Sequence, residues 1–428
     1  MTIGLILTVL LFIGGIPIWV ALGLGGVILL LTEIAIPTVN IPLTFFNGID
    51  SFTLMAITFF LLAGSIMAFC GPSKYIFDVV NSFFGRRRGG LAVTAVVMCM
   101  IYAAITGSGT ATLAGVAEIS KPEMLKRGYS KTFISSLLAA SCTLGQMIPP
   151  SIVMIIYGSM VQQDTGILFI SGIIPGILSG VVLCVMAWYQ SPKIVETEAE
   201  AEESRNLYTW KVRRRALLVG APAYLMPVLV LGGIYAGVVT PTEAGGVAVV
   251  YSFIISYFYK KLNWKTFKAT MLSTVRSNSM IFILIAGALL FANPLAFAGI
   301  PQALTTIIVD LGLSSTTLVL AVAALFLILG MFIDVIPIMY LTLPIVYPAL
   351  LATGVDLIHF NIVLVLAMQI GMVSPPFGTA LYVSTGICDA PIGEVSRGVI
   401  KYLIAYIIIL AVIIFVPGIA TWLPSMMN

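Results

Sequence analysis

A glycine, three residues and a double proline occur twice inside long apolar sequence. They form Gly145-Gln146-Met147-Ile148-Pro149-Pro150-Ser151 and Gly371-Met372-Val373-Ser374-Pro375-Pro376-Phe377. Proline has no amide hydrogen and its ring clashes with the preceding turn, so each pair breaks a helix and strips several carbonyls of their donors. In hydrocarbon, irregular backbone persists only where protein buries it or where it lines a polar cavity. Paired interruptions at matching places in two halves of a chain point to a binding site at the membrane midplane.

Composition places this pattern in a bilayer. Of the 428 residues 60% are hydrophobic and 9% charged, with a mean hydropathy of +1.12, which describes an all-α polytopic membrane protein. The stretch Gly4 to Leu31 has no basic residues before it and no small-residue cleavage site after it, so it reads as a retained helix. Cys70, Cys99, Cys142, Cys184 and Cys388 show neither metal-ligand nor disulfide spacing and read as packing residues.

All 21 Lys and Arg fall into five clusters: Lys74 with Arg86 to Arg88; Lys121 to Lys131; Lys193 to Arg215; Lys260 to Arg276; Arg397 with Lys401. The connections Thr32 to Asp50, Gln162 to Thr165, Thr240 to Glu243, Phe297 to Ser314, Ala352 to Phe360 and the tail after Pro417 carry none. By the positive-inside rule the clusters are cytoplasmic and the bare connections external. The basic balance then needs no nucleic-acid partner, only the lipid bilayer.

Between the cytoplasmic clusters ending at Arg88 and starting at Lys121 the chain must enter and leave on one side. Leu91 to Thr106 and Ala111 to Ile119 are the arms of a re-entrant hairpin, and Gly107-Ser108-Gly109-Thr110 is its polar tip. A second hairpin, Ser314 to Leu351, turns at Gly330-Met331-Phe332-Ile333-Asp334 and enters from the other side. Gly330 lies 223 residues after Gly107, and Gly371 lies 226 after Gly145, so the two halves read as inverted-topology repeats. The expected organisation is 1–90, first scaffold helices and arm; 91–190, first hairpin, broken helix and closing helix; 191–215, a charged cytoplasmic linker; 216–313, second scaffold helices and arms; 314–428, second hairpin, broken helix and closing helix. The basic, amphipathic Asn263 to Ser277 is expected along the cytoplasmic surface.

The run Lys121-Pro122-Glu123-Met124-Leu125-Lys126-Arg127-Gly128-Tyr129, with Thr143-Leu144-Gly145, Ile148-Pro149-Pro150-Ser151 and Tyr157-Gly158, resembles the large membrane subunit of tripartite ATP-independent periplasmic (TRAP) transporters. Gly330 to Asp334 and Ser374-Pro375-Pro376 extend the resemblance over essentially the whole chain. It implies a multi-pass protein of the bacterial inner membrane working as an elevator-type, sodium-coupled importer. A periplasmic substrate-binding protein would deliver a small carboxylated solute, sialic acid first and a C4-dicarboxylate next, and a small four-helix membrane subunit would complete the scaffold. The chain departs from the family pattern at Gln369, where relatives often carry an acid, and at Ala380, where they often carry an amide.

Sodium takes several hard oxygen ligands, which hydroxyls and freed carbonyls supply without fixed charge. Ser108 and Thr110 facing Gly145, Ile148 and Pro149 form one expected cage. Gly330 and Asp334 facing Gly371, Ser374 and Thr379 form the other. Substrate contacts are expected from Ser108, Pro150, Ser151, Asp334, Pro376 and Phe377, with the helices restarting at Ser151 and Phe377 turning their positive ends to an anion. Sodium is the only metal expected, and no organic cofactor.

A lone double proline is as readily a structural kink; two in register beside two hairpin tips favour a site. Asp334 costs roughly 2.5 to 3.5 kcal/mol at a helix centre, which favours a function for it. Glu118 reads as solvated or capping, and His359, the only histidine, as an exposed loop residue. No phosphate-cradling Gly-x-x-x-x-Gly-Lys-Ser/Thr loop is present, and the intramembrane inventory lacks the residues of a serine or aspartyl protease. A channel, or a related sodium/anion symporter without a binding protein, remains the alternative. The topology predicts that single cysteines replacing Asp50 and Asp356 react with a membrane-impermeant maleimide added outside; labelling of position 356 from the cytoplasmic face alone would reverse the second hairpin.

Overall fold

The computed structural model describes residues 2–32, 37, 39–69, 72–85, 89–192 and 210–427, and every regular element among them is helical. Most of the charged linker, Arg86 to Arg88, Glu33, Cys70 and Asn428 lie outside the described residues.

The first half contains α1 (Thr2–Ile13), α2 (Ile18–Thr32), α3 (Asn40–Asn47), α4 (Phe52–Phe69) and α5 (Pro72–Phe84). A hairpin of α6 (Gly90–Thr106) and α7 (Gly109–Lys126) comes next, then α8 (Lys131–Cys142), a 3-10 turn at Thr143–Gln146, α9 (Ile152–Val161) and α10 (Thr165–Gln190). The second half opens with α11 (Trp210–Tyr235), α12 (Pro241–Phe258), α13 (Trp264–Phe297) and α14 (Ile300–Asp310). Its hairpin is α15 (Ser315–Gly330) with α16 (Val335–Ala352), followed by α17 (Leu357–Val373), α18 (Thr379–Cys388), α19 (Ile392–Phe415) and α20 (Gly418–Ser425). Among the described residues α4, α10, α11, α13, α16 and α19 are long and apolar enough to cross a bilayer.

Polar residues start these helices by satisfying their first amides. Ser130, Asp164, Ser314 and Asp356 accept side-chain hydrogen bonds from the first turns of α8, α10, α15 and α17, and Thr240 forms a capping box with Glu243 at α12. Packing then sorts the helices. α13 lies against α2, α4 and α16, and Thr58 Oγ1 donates to Asn278 Oδ1 at 2.8 Å across the α4–α13 contact. α17 is buried from His359 through Val373 and packs chiefly on α15 and α19, so the second interrupted helix forms the centre of the core.

Two contacts tie the first hairpin's region to the second half at the basic side. Lys121 Nζ donates to the Ile387 carbonyl at 2.7 Å, in the last turn of α18, and to Asp389 Oδ2 at 3.1 Å. A cation there also meets the negative end of the helix dipole. The Lys121 ammonium holds the exposed Asp389 carboxyl below the usual carboxylate range. Thr132 Oγ1 donates to Glu394 Oε2 at 2.7 Å nearby.

Several expectations change. The return arm of the first hairpin runs past Ile119 to Lys126, with Pro122 inside it. Asn263 to Ser277 is not a separate surface arm: Asn263 caps a single 34-residue helix, about 50 Å long, that includes the following apolar run. The connection after Phe297 contains α14, and the second interrupted helix restarts at Thr379, two residues later than expected. His359 is buried in the first turn of α17, with Nε2 2.9 Å from the Ile413 carbonyl. Ile413 lies in the last turn of α19, where carbonyls lack helical donors, and Pro417 four residues on has no amide hydrogen to offer. The imidazole N–H fills that vacancy. Replacing His359 with Leu should lower stability by about 1–3 kcal/mol, measured as a lower unfolding midpoint in detergent; an unchanged midpoint would mean that the carbonyl finds another donor.

Candidate functional site

A helical carbonyl pairs with the amide four residues on, so prolines at 149 and 150 leave Gly145 and Gln146 without helical donors, and those at 375 and 376 do the same to Gly371 and Met372. Both double prolines carry a cis peptide bond. Local groups answer part of the deficit. Ser151 Oγ donates to the Gln146 carbonyl and accepts from Met154 N at 3.3 Å, capping α9. At the second break Ser374 N donates to Gly371 O at 3.0 Å and Ser374 Oγ to Ile370 O at 2.7 Å.

Each hairpin tip is pressed onto one of these breaks. Gly107 turns the first tip with φ +63°, and its carbonyl accepts from Ile152 N at 3.1 Å. A β-carbon on Gly107 would stand 2.7 Å from the Pro150 carbonyl oxygen, and one on Gly145 would stand 2.8 Å from that of Ser108. Behind the turn Thr106 and Thr112 hydroxyls meet at 2.9 Å, and Ser108 Oγ lies 3.3 Å from Thr110 Oγ1. In the second half Gly330 rests directly on Gly371, where a β-carbon on Gly371 would meet Gly330 Cα at 2.6 Å. Asp334 caps α16, its Oδ1 accepting from Val335 N at 2.8 Å.

A cavity of about 530 Å³ joins the first tip and break to the start of α16. Ser108, Gly109 and Thr110, Ile152 and Val153, and Val335 and Ile336 bring the first turns of α7, α9 and α16 to its wall. Helix starts carry partial positive charge, so three converging ones suit an anion, with the Ile152 and Val335 amides already donating to the Gly107 carbonyl and the Asp334 carboxylate. Among the described residues Asp334 and Glu118 are the only charged ones lining it, and none is Lys or Arg. From the tip the wall continues through Ser65 and Phe69 of α4, Glu118 of α7, and Ser273 and Ser277 of α13. These lie toward the ends of their helices that carry basic clusters, so the cavity extends from the first tip toward the basic side.

Of the residues singled out in the sequence, Ser108, Thr110 and Asp334 line this cavity. Gly145, Pro149 and Pro150 are buried behind the tip, and Ile148 packs toward Gly176 of α10. Ser151 is fully buried with its hydroxyl committed within the chain, so it acts as a helix cap and not as a wall residue. Gly330, Gly371 and Ser374 belong to the second tip and break, where the Thr379 hydroxyl is buried without a partner. Pro376 and Phe377 are exposed away from the cavity; Phe377 packs on Phe332 and Tyr382 at ring-centroid distances of 5.8 and 6.4 Å. The positive helix end expected at Phe377 is therefore not in the cavity wall, and that of α16 is.

Sequence reading passed over Gln146, Met372, Ser65, Ser273 and Ser277, all in the wall. The first two sit inside the quoted motifs, each one residue past its glycine, which was the available signal. The three serines come from helices far off in sequence and had none.

Comparison with known proteins agrees with this architecture. Residues 5–419 match the family model for the tripartite ATP-independent periplasmic transporter, DctM component. A C4-dicarboxylate TRAP transporter large permease protein of Pseudomonas aeruginosa is 35% identical over 406 residues, covering 95% of this chain and 94% of that protein. A sialic acid TRAP transporter large permease protein of Vibrio cholerae is 31% identical, covering 89% and 88%. The solved structure of Neisseria gonorrhoeae MtrF, described with a class of antimetabolite efflux pumps, superposes with a TM-score of 0.59 at 11% identity over 88% of this chain and 84% of that one, a likeness of fold alone. The chain belongs to the DctM family: it is a transporter permease and not an enzyme, and a multi-pass protein of the bacterial inner membrane.

The tip geometry makes Gly107 hard to replace. Gly107→Ala combines left-handed backbone, costing about 1–2 kcal/mol, with the clash at Pro150, and should lower the unfolding midpoint well below that of Gly109→Ala, whose β-carbon would stand 3.3 Å from its nearest neighbour. Equal midpoints for the two variants would mean that tip and break are not in contact.

Proposed function

We propose that the chain is the solute-carrying subunit of a sodium-coupled importer of small organic anions, carboxylates first among them. The cavity carries this reading. Three helix starts favour an anion, while the only fixed charges in the wall are the carboxylates of Asp334 and Glu118. A bare anion entering such a site meets repulsion with no basic side chain to answer it, so a cation has to accompany it. Ser108 and Thr110 hydroxyls, the Gly145 carbonyl left without a helical donor and the Asp334 carboxylate are hard oxygens of the kind sodium takes. At the second break the Met372 carbonyl and the unpartnered Thr379 hydroxyl offer a similar set.

The tip-on-break pairing recurs in both halves in the same order, which supports inverted repeats. In that arrangement the two hairpins, their broken helices and the closing helices move as one body against a scaffold that includes α4 and α13, in the elevator manner. A cavity extending to the basic side is the inward-facing form of such a cycle. A periplasmic binding protein to deliver the solute and a small membrane subunit to extend the scaffold complete the machine. The relative named isethionate TRAP transporter permease protein DctMQ, from Oleidesulfovibrio alaskensis, supports such a second component, since this chain covers only 63% of its length. The relatives' named solutes, C4-dicarboxylate, sialic acid and isethionate, are all organic anions, and their identities of 31% to 35% support the class without ranking its members.

Asp334→Asn tests the coupling. Insertion and assembly with the membrane partner should survive, because removal of a charge without an ion pair does not disturb packing. Sodium-driven uptake into proteoliposomes should fall by more than tenfold or lose its sodium dependence. Uptake at the wild-type level with the same sodium dependence would remove Asp334 from the site, and flux that never saturates with solute would replace the carrier by a channel.

A further inference from the structure

Gln146 and Met372 occupy equivalent places in the two motifs, and they touch: Gln146 Nε2 lies 2.9 Å from Met372 Sδ. Both line the cavity. In the inverted-repeat arrangement proposed above, residues at corresponding positions of the two halves meet on the axis relating them, which is where this pair would lie. The two partners are chemically unequal. A thioether accepts weakly and donates nothing, which turns the amide N–H₂ toward sulfur and leaves Oε1 needing a donor. That oxygen is buried and has none, and the residue is only 6% exposed.

Carboxylate oxygens, the feature shared by every solute of the proposed class, cannot satisfy Oε1, because an ionised carboxylate only accepts. A hydroxyl or N–H group can. We infer that Gln146 is a specificity-determining residue that reads a donor group on the solute apart from its carboxylate, and that the solute is therefore an acid bearing a hydroxyl or N–H group. This assignment rests on the carrier reading of the same cavity. A site that hydrogen-bonds a solute hydroxyl discriminates against the analogue lacking it, because its own polar group is then left unpaired. Met372 supplies the apolar surface beside it, where a carbon skeleton packs.

The test compares wild type with Gln146→Met in proteoliposomes containing the membrane partner, supplied with the binding protein under a sodium gradient. The solutes are pairs differing by one hydroxyl: succinate and malate, propionate and lactate, glutarate and 2-hydroxyglutarate. Because the binding protein is common to both arms, its own preference cancels in the ratio of the two transporters. In every pair that is carried, the substitution should lower uptake of the hydroxylated acid about tenfold more than that of its plain counterpart, the effect of one hydrogen bond. The melting temperature should hold or rise, since an amide oxygen without a donor is exchanged for an apolar group of similar length. An equal fall for both members of each pair with a lowered melting temperature would make Gln146 a structural residue and overturn the assignment. A weakened dependence on sodium with an unchanged solute ratio would overturn it in favour of a cation ligand. If wild type moves none of these acids and neither sialic acid nor isethionate under a sodium gradient, the carrier reading itself fails and this assignment with it.

Discussion

A carbonyl buried away from water must find a donor, and much of this molecule is arranged around carbonyls whose donors proline has removed. Four of them are created by the two double prolines, and the structure answers with whatever lies at hand: a serine hydroxyl at Gln146, an amide turned back at Gly371. The same demand operates at the end of α19, where an imidazole from another helix supplies the Ile413 carbonyl. What separates the breaks from that helix end is location. The breaks lie under the hairpin tips, beside a cavity, where an ion can do what a side chain does elsewhere.

Electrostatics extends the point. Positive character in the cavity comes only from helix starts, which are partial charges fixed in direction, whereas the negative character comes from two whole carboxylates. Lys121, three residues beyond Glu118, is turned away to the α18 terminus and Asp389. Among the described residues the wall therefore offers an anion no basic side chain.

Much of this was legible from residue order because it depends on local chemistry. Proline pairs and tip glycines act on the backbone next to them, so both hairpins and both breaks appeared within a few residues of their expected bounds. The misreadings share a cause. His359 looked like a loop residue because its partner lies 54 positions away. Asn263 to Ser277 looked like a surface arm because its composition changes at Ser277, but composition changes do not end a helix, and no glycine or proline stands at that point. Phe377 was assigned to the site as the start of the helix after the second double proline, whereas that helix starts at Thr379 and Phe377 packs on Phe332 and Tyr382. Ser65, Ser273 and Ser277 reach the wall only through packing of α4 and α13 against the hairpin region, which no local pattern records.

The contact between Gly330 and Gly371 carries a mechanical implication. Two helices that meet through side chains can absorb strain by changing rotamers, yielding gradually as load is applied. Here bare backbone meets bare backbone, with no torsion to adjust and no room for a methyl group. Such a joint is stiff until it parts. Compliance in the second hairpin belongs instead at its far end, where Ser315 Oγ closes the arms onto the Thr353 carbonyl through one rotatable hydroxyl.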